Sequence, residues 1–383
     1  MSTRTAVDTV TAGQPALEEE LTVTRPSLPP FEEYEALLRG VWQRNYLTNA
    51  GPLVVELERQ LAAYLGVRHC LFVTNGTIAL QLAYRALTLR GEVVTTPFSY
   101  VATTSSLAWE GCEPVFADIE PDTLTLSPER AEAAITPRTS AIVATHVYGN
   151  ACDIEALGDI GRRRGIPIVY DAAHAFGASF HGRALAAWGD VATLSFHATK
   201  LFHTVEGGAV VTNDDTVARN VAALRNFGHE GYEAFGGIGT NGKNSEVHAA
   251  MGLCLLPRVP GFVAERAAIT WRYDAAFASI GAAVSRPALR AGLDYNFAYH
   301  PVLLESEAAV RAVQQACEAR RIRTRRYFYP LLNGALSYVP TTHTPVAHDV
   351  ARRVLCLPLF TGMTNEQVDR VASAVLDGLN AIG

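Results

Sequence analysis

Lysine is almost missing from this chain: of its 32 cationic residues only Lys200 and Lys243 are lysines, and thirty are arginines. Cysteine is sparse and unpatterned. The six thiols (Cys70, Cys112, Cys152, Cys254, Cys317 and Cys356) are scattered without a CxxC pair, which argues against a disulfide framework or a thiolate zinc site and predicts reduced, mostly buried cysteines. The eleven histidines show no HExxH or comparable ligand spacing, so a metal hydrolase is disfavoured and no metal is expected. A surplus of positive charge is also lacking. With a net charge of −6 and no basic face, nucleic acid is not expected as the main partner, since phosphate neutralisation supplies most of that affinity. No run of residues reads as a membrane span, and the N-terminal MSTRTAVDTVTAGQPALEEE lacks the apolar core of a signal peptide, so a cytoplasmic protein without membrane contact is expected.

What is present is the composition of a folded globular protein: 49% hydrophobic over 383 residues, enough chain for about two domains. Residues 1–25 are small, polar and punctuated by proline and glycine, and read as a flexible arm. Between 26 and 255, short apolar runs alternate with amphipathic segments. HCLFVT (69–74), EVVTT (92–96), PVFADI (114–119), SAIVATH (140–146), IPIVYD (166–171), VATLSF (191–196) and GAVVT (208–212) read as seven buried strands. TIALQLAYRAL (77–87), PERAEAAI (128–135) and DIEALGDIGRRRG (153–165) read as helices between them. This alternation predicts a large α/β domain with a mostly parallel sheet covered on both faces. Residues 228–244 are glycine-rich, and a loop of that length in a compact domain is usually functional. A helix over 245–259 follows, and 256–383 read as a smaller α+β domain with helices over 308–320 and 365–382.

Ligands of open α/β sheets collect at the carboxyl ends of the strands. The first strand is followed by Asn75-Gly76-Thr77 at a helix start, where free N–H groups and the helix dipole favour an anion such as a phosphate. After the second strand, Tyr100 supplies a flat ring at the cleft rim. The fifth strand ends at Asp171, with His174 just beyond, and a buried carboxylate there needs a cation or strong donors. The sixth runs through Ser195 to Lys200. Arginine cannot form an imine, whereas a lysine amine that sheds its charge in a cleft can condense with an aldehyde; in a chain so poor in lysine, Lys200 at a strand end is the better candidate than Lys243 in a loop. An amine, a carboxylate for a ring nitrogen, a stacking aromatic and an anion cradle together describe a site for pyridoxal 5′-phosphate.

Carried by NYLTNAGP (45–52), FVTNGTIAL (72–80), TPFSYVATTSS (96–106), EPVFADI (113–119), THVYGN (145–150), VYDAAHAFGA (169–178), LSFHATK (194–200), EGGAVVT (206–212) and NGKNSEVHAAMG (241–252), the chain resembles the DegT/DnrJ/EryC1/StrS sugar aminotransferases over roughly 26–382. The resemblance implies the fold of type-I pyridoxal phosphate transferases, Lys200 as the lysine that bonds the cofactor, Asp171 on the pyridine nitrogen, His174 near the phenolic oxygen and Tyr100 on the ring. It implies Gly76, Thr77 and Ser195 around the phosphate, with Asn75 where relatives commonly carry serine. Asn241 matches an asparagine that reaches the phosphate from a neighbouring subunit, implying a homodimer with shared sites. Lysine at position 200 argues against the sister dehydratases, which carry histidine there.

Residues 195–212 resemble enzymes that move the amino group of L-glutamate to C4 of a nucleotide-linked 4-keto-6-deoxy sugar. The alternatives are amination at C3, amination of another nucleotide-linked keto sugar, or a non-catalytic homologue. The arginine-rich RRIRTRR (320–326) offers Arg320, Arg321, Arg323, Arg325 and Arg326 to the sugar's diphosphate, or forms an ordinary solvated face.

Overall fold

A computed structural model describes residues 20–382. The predicted arm therefore lies outside the described residues up to position 19. From Glu20 the chain is fastened down: Leu21 is fully buried, bridges Ile322 and packs in the C-terminal core, and the Leu359 amide donates to the Val23 carbonyl at 3.0 Å.

Each of the seven apolar runs forms a strand of one sheet. In chain order these are β1 (His69–Val73), β2 (Glu92–Thr95), β3 (Glu113–Phe116), β4 (Thr139–Thr145) and β5 (Ile168–Asp171), then the short β6 (Ser179–Phe180) and β7 (Arg183–Ala184), then β8 (Val191–Ser195) and β9 (Gly208–Thr212). The large sheet runs β1-β9-β8-β5-β4-β2-β3, and only β9 is antiparallel to its neighbours. Six strands therefore end at the same edge. The strands are buried along nearly their whole length because helices cover both faces, which is why they read as unbroken apolar runs rather than alternating ones.

Beyond these come β10 (Val284–Ser285), β11 (Leu293–Asp294), β12 (His300–Leu304) and β13 (Val354–Leu357); β10, β12 and β13 form an antiparallel sheet, and β11 joins β6 and β7. Helices Glu307–Ala319 and Asn365–Asn380 pack together over the former, sharing a core of Val310, Val313, Cys317, Val368, Val371 and Val375 with Val302 and Leu355. All six cysteines are buried free thiols.

One expectation is corrected. The helical stretch Glu246–Ala283 is long and apolar enough, by length and composition, to cross a membrane. Its apolarity serves the core instead. It packs against helices Phe31–Arg44, Pro52–Leu65 and Asn365–Asn380, and carries Arg266 fully buried with its guanidinium donating to the Ala298 carbonyl at 3.2 Å.

The first turn of that stretch also seats an earlier helix. Glu246 is completely buried, and its carboxylate accepts the amides of Leu53 at 3.1 Å and Val54 at 2.9 Å, the open donors at the start of Pro52–Leu65. Arg44 approaches the same carboxylate at 3.4 Å. Glu246→Ala leaves two helix-terminal amides without an acceptor; it is expected to cost about 2–4 kcal/mol and to lower the midpoint of thermal unfolding measurably. An unchanged midpoint would show that water replaces the carboxylate.

Candidate active site

The register of the large sheet assembles the cleft. Val73 pairs with Gly208 and Gly208 with Ser195, so the ends of β1 and β8 lie on either side of the first residue of β9. Only glycine fits at two points here. A Cβ on Gly208 would sit 2.6 Å from the Asn75 carbonyl oxygen, and one on Gly76 would sit 2.9 Å from Ser195 Cβ. Asn75 caps helix Gly76–Ala86 by accepting the Ile78 amide on Oδ1 at 2.9 Å, which fixes the helix start against Ser195. The result is a cup of helix-terminal amides with a serine hydroxyl beside it, the arrangement that holds a phosphate.

Above this cup opens a cleft of about 650 Å³ whose lining includes Asn75, Gly76, Thr77, Tyr100, Asp171, His174, Ser195 and Lys200. These are eight of the nine candidates. The ninth, Asn241, is exposed and lies outside the cleft of its own chain, bridged to Asn226.

Asp171 ends β5, buried to 5% exposure. Burial raises its carboxyl pKa, opposed by a 2.6 Å hydrogen bond from the Thr103 hydroxyl, a 3.1 Å bond from the Ala173 amide and the nearby Lys200. Because Thr103 spends its proton on Asp171, Ser99 must donate to Thr103 at 2.7 Å and Thr145 to Ser99 at 3.0 Å, giving a one-directional chain of hydroxyls. The carboxylate has no ion pair among the described residues, so a protonated ring nitrogen in the cleft would supply the missing positive charge.

Lys200 presents the complementary problem. Burial lowers its pKa, against weaker opposing effects of Tyr327, Asp171 and Tyr100, so the amine is uncharged more readily than an ordinary lysine. Its Nζ donates to the Tyr299 hydroxyl at 3.1 Å. Burial, with Lys200 nearby, holds His174 far below the usual imidazole range and hence neutral. Its Nδ1 accepts the Tyr148 amide at 3.1 Å, which leaves the ring proton on Nε2. The His174 loop is braced by Asn296, whose amide donates to the carbonyls of His174 at 2.8 Å and Phe176 at 2.9 Å. A phosphate cup, an unpaired buried carboxylate, a donor imidazole and a desolvated amine fit pyridoxal 5′-phosphate.

Tyr100 stands exposed at the rim. The sequence does not single out several further groups: Ser99, Tyr299, Tyr327 and Phe328 line the cleft, and Thr103 bonds Asp171. Of the arginine run, only Arg325 lines the cleft. Arg320 pairs with Asp377, Arg323 with Glu20 and Glu318, and Arg326 with Glu307, so most of the run is the surface network that charge runs usually form.

The profile of the DegT/DnrJ/EryC1/StrS aminotransferase family matches residues 31–376. Among curated relatives, the chain is 39% identical over 365 residues to a dTDP-4-amino-4,6-dideoxy-D-glucose transaminase of Shigella dysenteriae, covering 94% of this chain and 99% of the relative. It is 35% identical over 369 residues to the Escherichia coli protein of the same name, with the same coverage of 94% and 99%. The crystal structure of DesI in the presence of its TDP-sugar product superposes with a TM-score of 0.89 at 35% identity, over 96% of this chain and 95% of that one.

If Lys200 is the amine that bonds the cofactor, mixing the protein with pyridoxal 5′-phosphate and reducing with borohydride should add the cofactor's mass to the peptide containing Lys200. Lys200→Ala should gain none. Since Lys243 is the sole other lysine, label found there instead would contradict the assignment.

Proposed function

The chain belongs to the DegT/DnrJ/EryC1/StrS aminotransferase family and is a pyridoxal phosphate-dependent nucleotide-sugar aminotransferase, and we propose that it moves the amino group of L-glutamate to C4 of dTDP-4-keto-6-deoxy-D-glucose, giving dTDP-4-amino-4,6-dideoxy-D-glucose. The observation that carries the chemistry is the desolvated Lys200 amine facing the unpaired Asp171 carboxylate across one cleft. The choice of sugar is supported by the relatives that share 39% and 35% of their residues with this chain.

When bound, pyridoxal 5′-phosphate supplies an aldehyde carbon that carries the amino group and a ring that withdraws electrons from the reacting carbon. The protein's residues divide the remaining work. Gly76, Thr77 and Ser195 bind the phosphate through the helix terminus and a hydroxyl. Asp171 holds a negative charge against the ring nitrogen, with one carboxylate oxygen oriented by the hydroxyl chain through Thr103 and the other by the Ala173 amide. His174 offers its Nε2 proton to the phenolic oxygen. Lys200, uncharged, takes the proton from the α-carbon of glutamate as a general base. It would pass that proton to the cofactor's aldehyde carbon, and in the second half-reaction it would carry a proton back from that carbon to C4 of the sugar. Tyr299 holds the amine whenever Lys200 is not bonded to the cofactor. The two substrates use the same cleft in turn, and 2-oxoglutarate leaves before the sugar enters.

The working unit in this proposal is a homodimer in which Asn241 of a second copy completes the phosphate site. Its exposed position outside its own cleft supports this, as does the apolar surface that Tyr232, Phe235 and Ile238 expose on the same loop.

Incubation with glutamate and a panel of keto sugars, read by NMR of the products, should give amination of dTDP-4-keto-6-deoxy-D-glucose at C4 and little turnover of its 3-keto isomer. Preferred turnover of the 3-keto isomer would move the enzyme to the C3 class. For the shared site, Lys200→Ala and Asn241→Ala chains should each be inactive alone, yet regain about a quarter of wild-type activity when refolded together, because one site of each mixed dimer is intact. No recovery would place Asn241 in a structural role.

A further inference from the structure

Both substrates in this reading are anions, an amino acid carboxylate and a nucleotide diphosphate, and the cleft must admit each in turn. The phosphate cup at the end of β1 is committed to the cofactor. Apart from Lys200, the one Lys or Arg side chain lining the cleft among the described residues is Arg325. We propose that Arg325 is the residue that anchors the substrates' oxyanion, a bidentate partner for diphosphate or carboxylate; this deepens the reading above and rests on it.

Four observations converge on this residue. Its place is rigid: the Arg325 amide donates to the Cys356 carbonyl at 3.1 Å, the Cys356 amide returns a bond at 2.8 Å, and Cys356 belongs to the fully buried β13. Arg320, Arg323 and Arg326 of the run are engaged with carboxylates, while Arg325 has no such partner among the described residues and leaves its donors open. Its guanidinium lies over the Tyr327 ring, 5.0 Å from the centre, which holds the plane without using the N–H groups that grip an oxyanion. Finally, Tyr327 and Tyr299 link Arg325 to the reacting amine. Their rings stand 5.6 Å apart at 81°, and Tyr299 takes the hydrogen bond from Lys200. An anion held at Arg325 thus lies two aromatic rings from the point of chemistry, along a wall shared by both half-reactions. The acidic residues lining the cleft do not compete for it: Asp171 is buried at the cofactor end, and Glu206 faces His197 at 3.6 Å.

The test uses the holoenzyme and compares wild type with Arg325→Gln and Arg325→Lys. Calorimetric binding of dTDP, which cannot react, probes the diphosphate; the cofactor's absorbance change on adding L-glutamate, followed against glutamate concentration, probes the carboxylate. In Arg325→Gln, at least one of the two should weaken by about 10- to 100-fold in Kd or KM, with the maximal rate of each half-reaction within about threefold and the melting temperature unchanged. Arg325→Lys should recover part of the loss, because it keeps the charge and loses the fork. Loss confined to dTDP assigns the diphosphate, loss confined to glutamate the carboxylate, and loss of both a shared anchor. Unchanged affinities in both arms overturn the proposal. Failure of the wild-type enzyme itself to react with glutamate and to bind dTDP would instead overturn the functional reading on which it rests.

Discussion

The site depends on taking an amine out of water without giving it a carboxylate to pair with. An ordinary buried lysine is either neutralised by an acid in contact or swung to the surface. Lys200 does neither: it donates to the neutral phenol of Tyr299, itself held neutral by burial, and Asp171 acts on it only through space. Desolvation then favours the uncharged amine, the nucleophilic form. The same constraint is consistent with a lysine at position 200 in a chain that otherwise has almost none. Many of the arginines serve as cations of carboxylate networks, whereas the proposed function asks of Lys200 a group that can lose its proton.

The sheet turns that constraint into a site because six of its strands end at one edge. Asp171, Ser195 and the Asn75 cap each follow directly from a strand end, and the pairing of Val73, Gly208 and Ser195 fixes their spacing to within the length of a side chain. The opposite wall comes from segments far along the chain, the approach to β12 and the turn after helix Glu307–Ala319. Access to the amine is thereby coupled to how the C-terminal segments sit on the large sheet. Asp118 is one tie between them, its carboxylate accepting the amides of Val346 at 2.9 Å and Ala347 at 2.8 Å at the start of helix Pro345–Arg353.

What could be read from the sequence was local. Buried parallel strands announce themselves as apolar runs, and the residues at and just past their carboxyl ends are the ones a cleft uses, so Asp171, Ser195 and Lys200 are legible in the sequence. The hydroxyl chain from Thr145 through Ser99 to Thr103 was not, because a threonine in a helix carries no sign that its partner lies 68 residues away. Tyr299 meets Lys200 across 99 residues and carries no periodic signal of its own. The arginine run left two readings open, a diphosphate contact or a solvated face, and packing divides it between them: Arg320, Arg323 and Arg326 bind carboxylates and Arg325 lines the cleft. The N-terminal polar stretch likewise hid Leu21, a single apolar anchor that composition averages away.

The protonation state of Lys200 is directly measurable because the chain has so few lysines. Uniform 15N-lysine labelling of the cofactor-free protein gives two Nζ resonances, and the one missing from Lys200→Ala belongs to the site. Its midpoint on titration should fall below the ordinary lysine value of 10.5. A midpoint at or above that value would mean the amine is a conventional ammonium at working pH, and the cleft would lack the base that its chemistry requires.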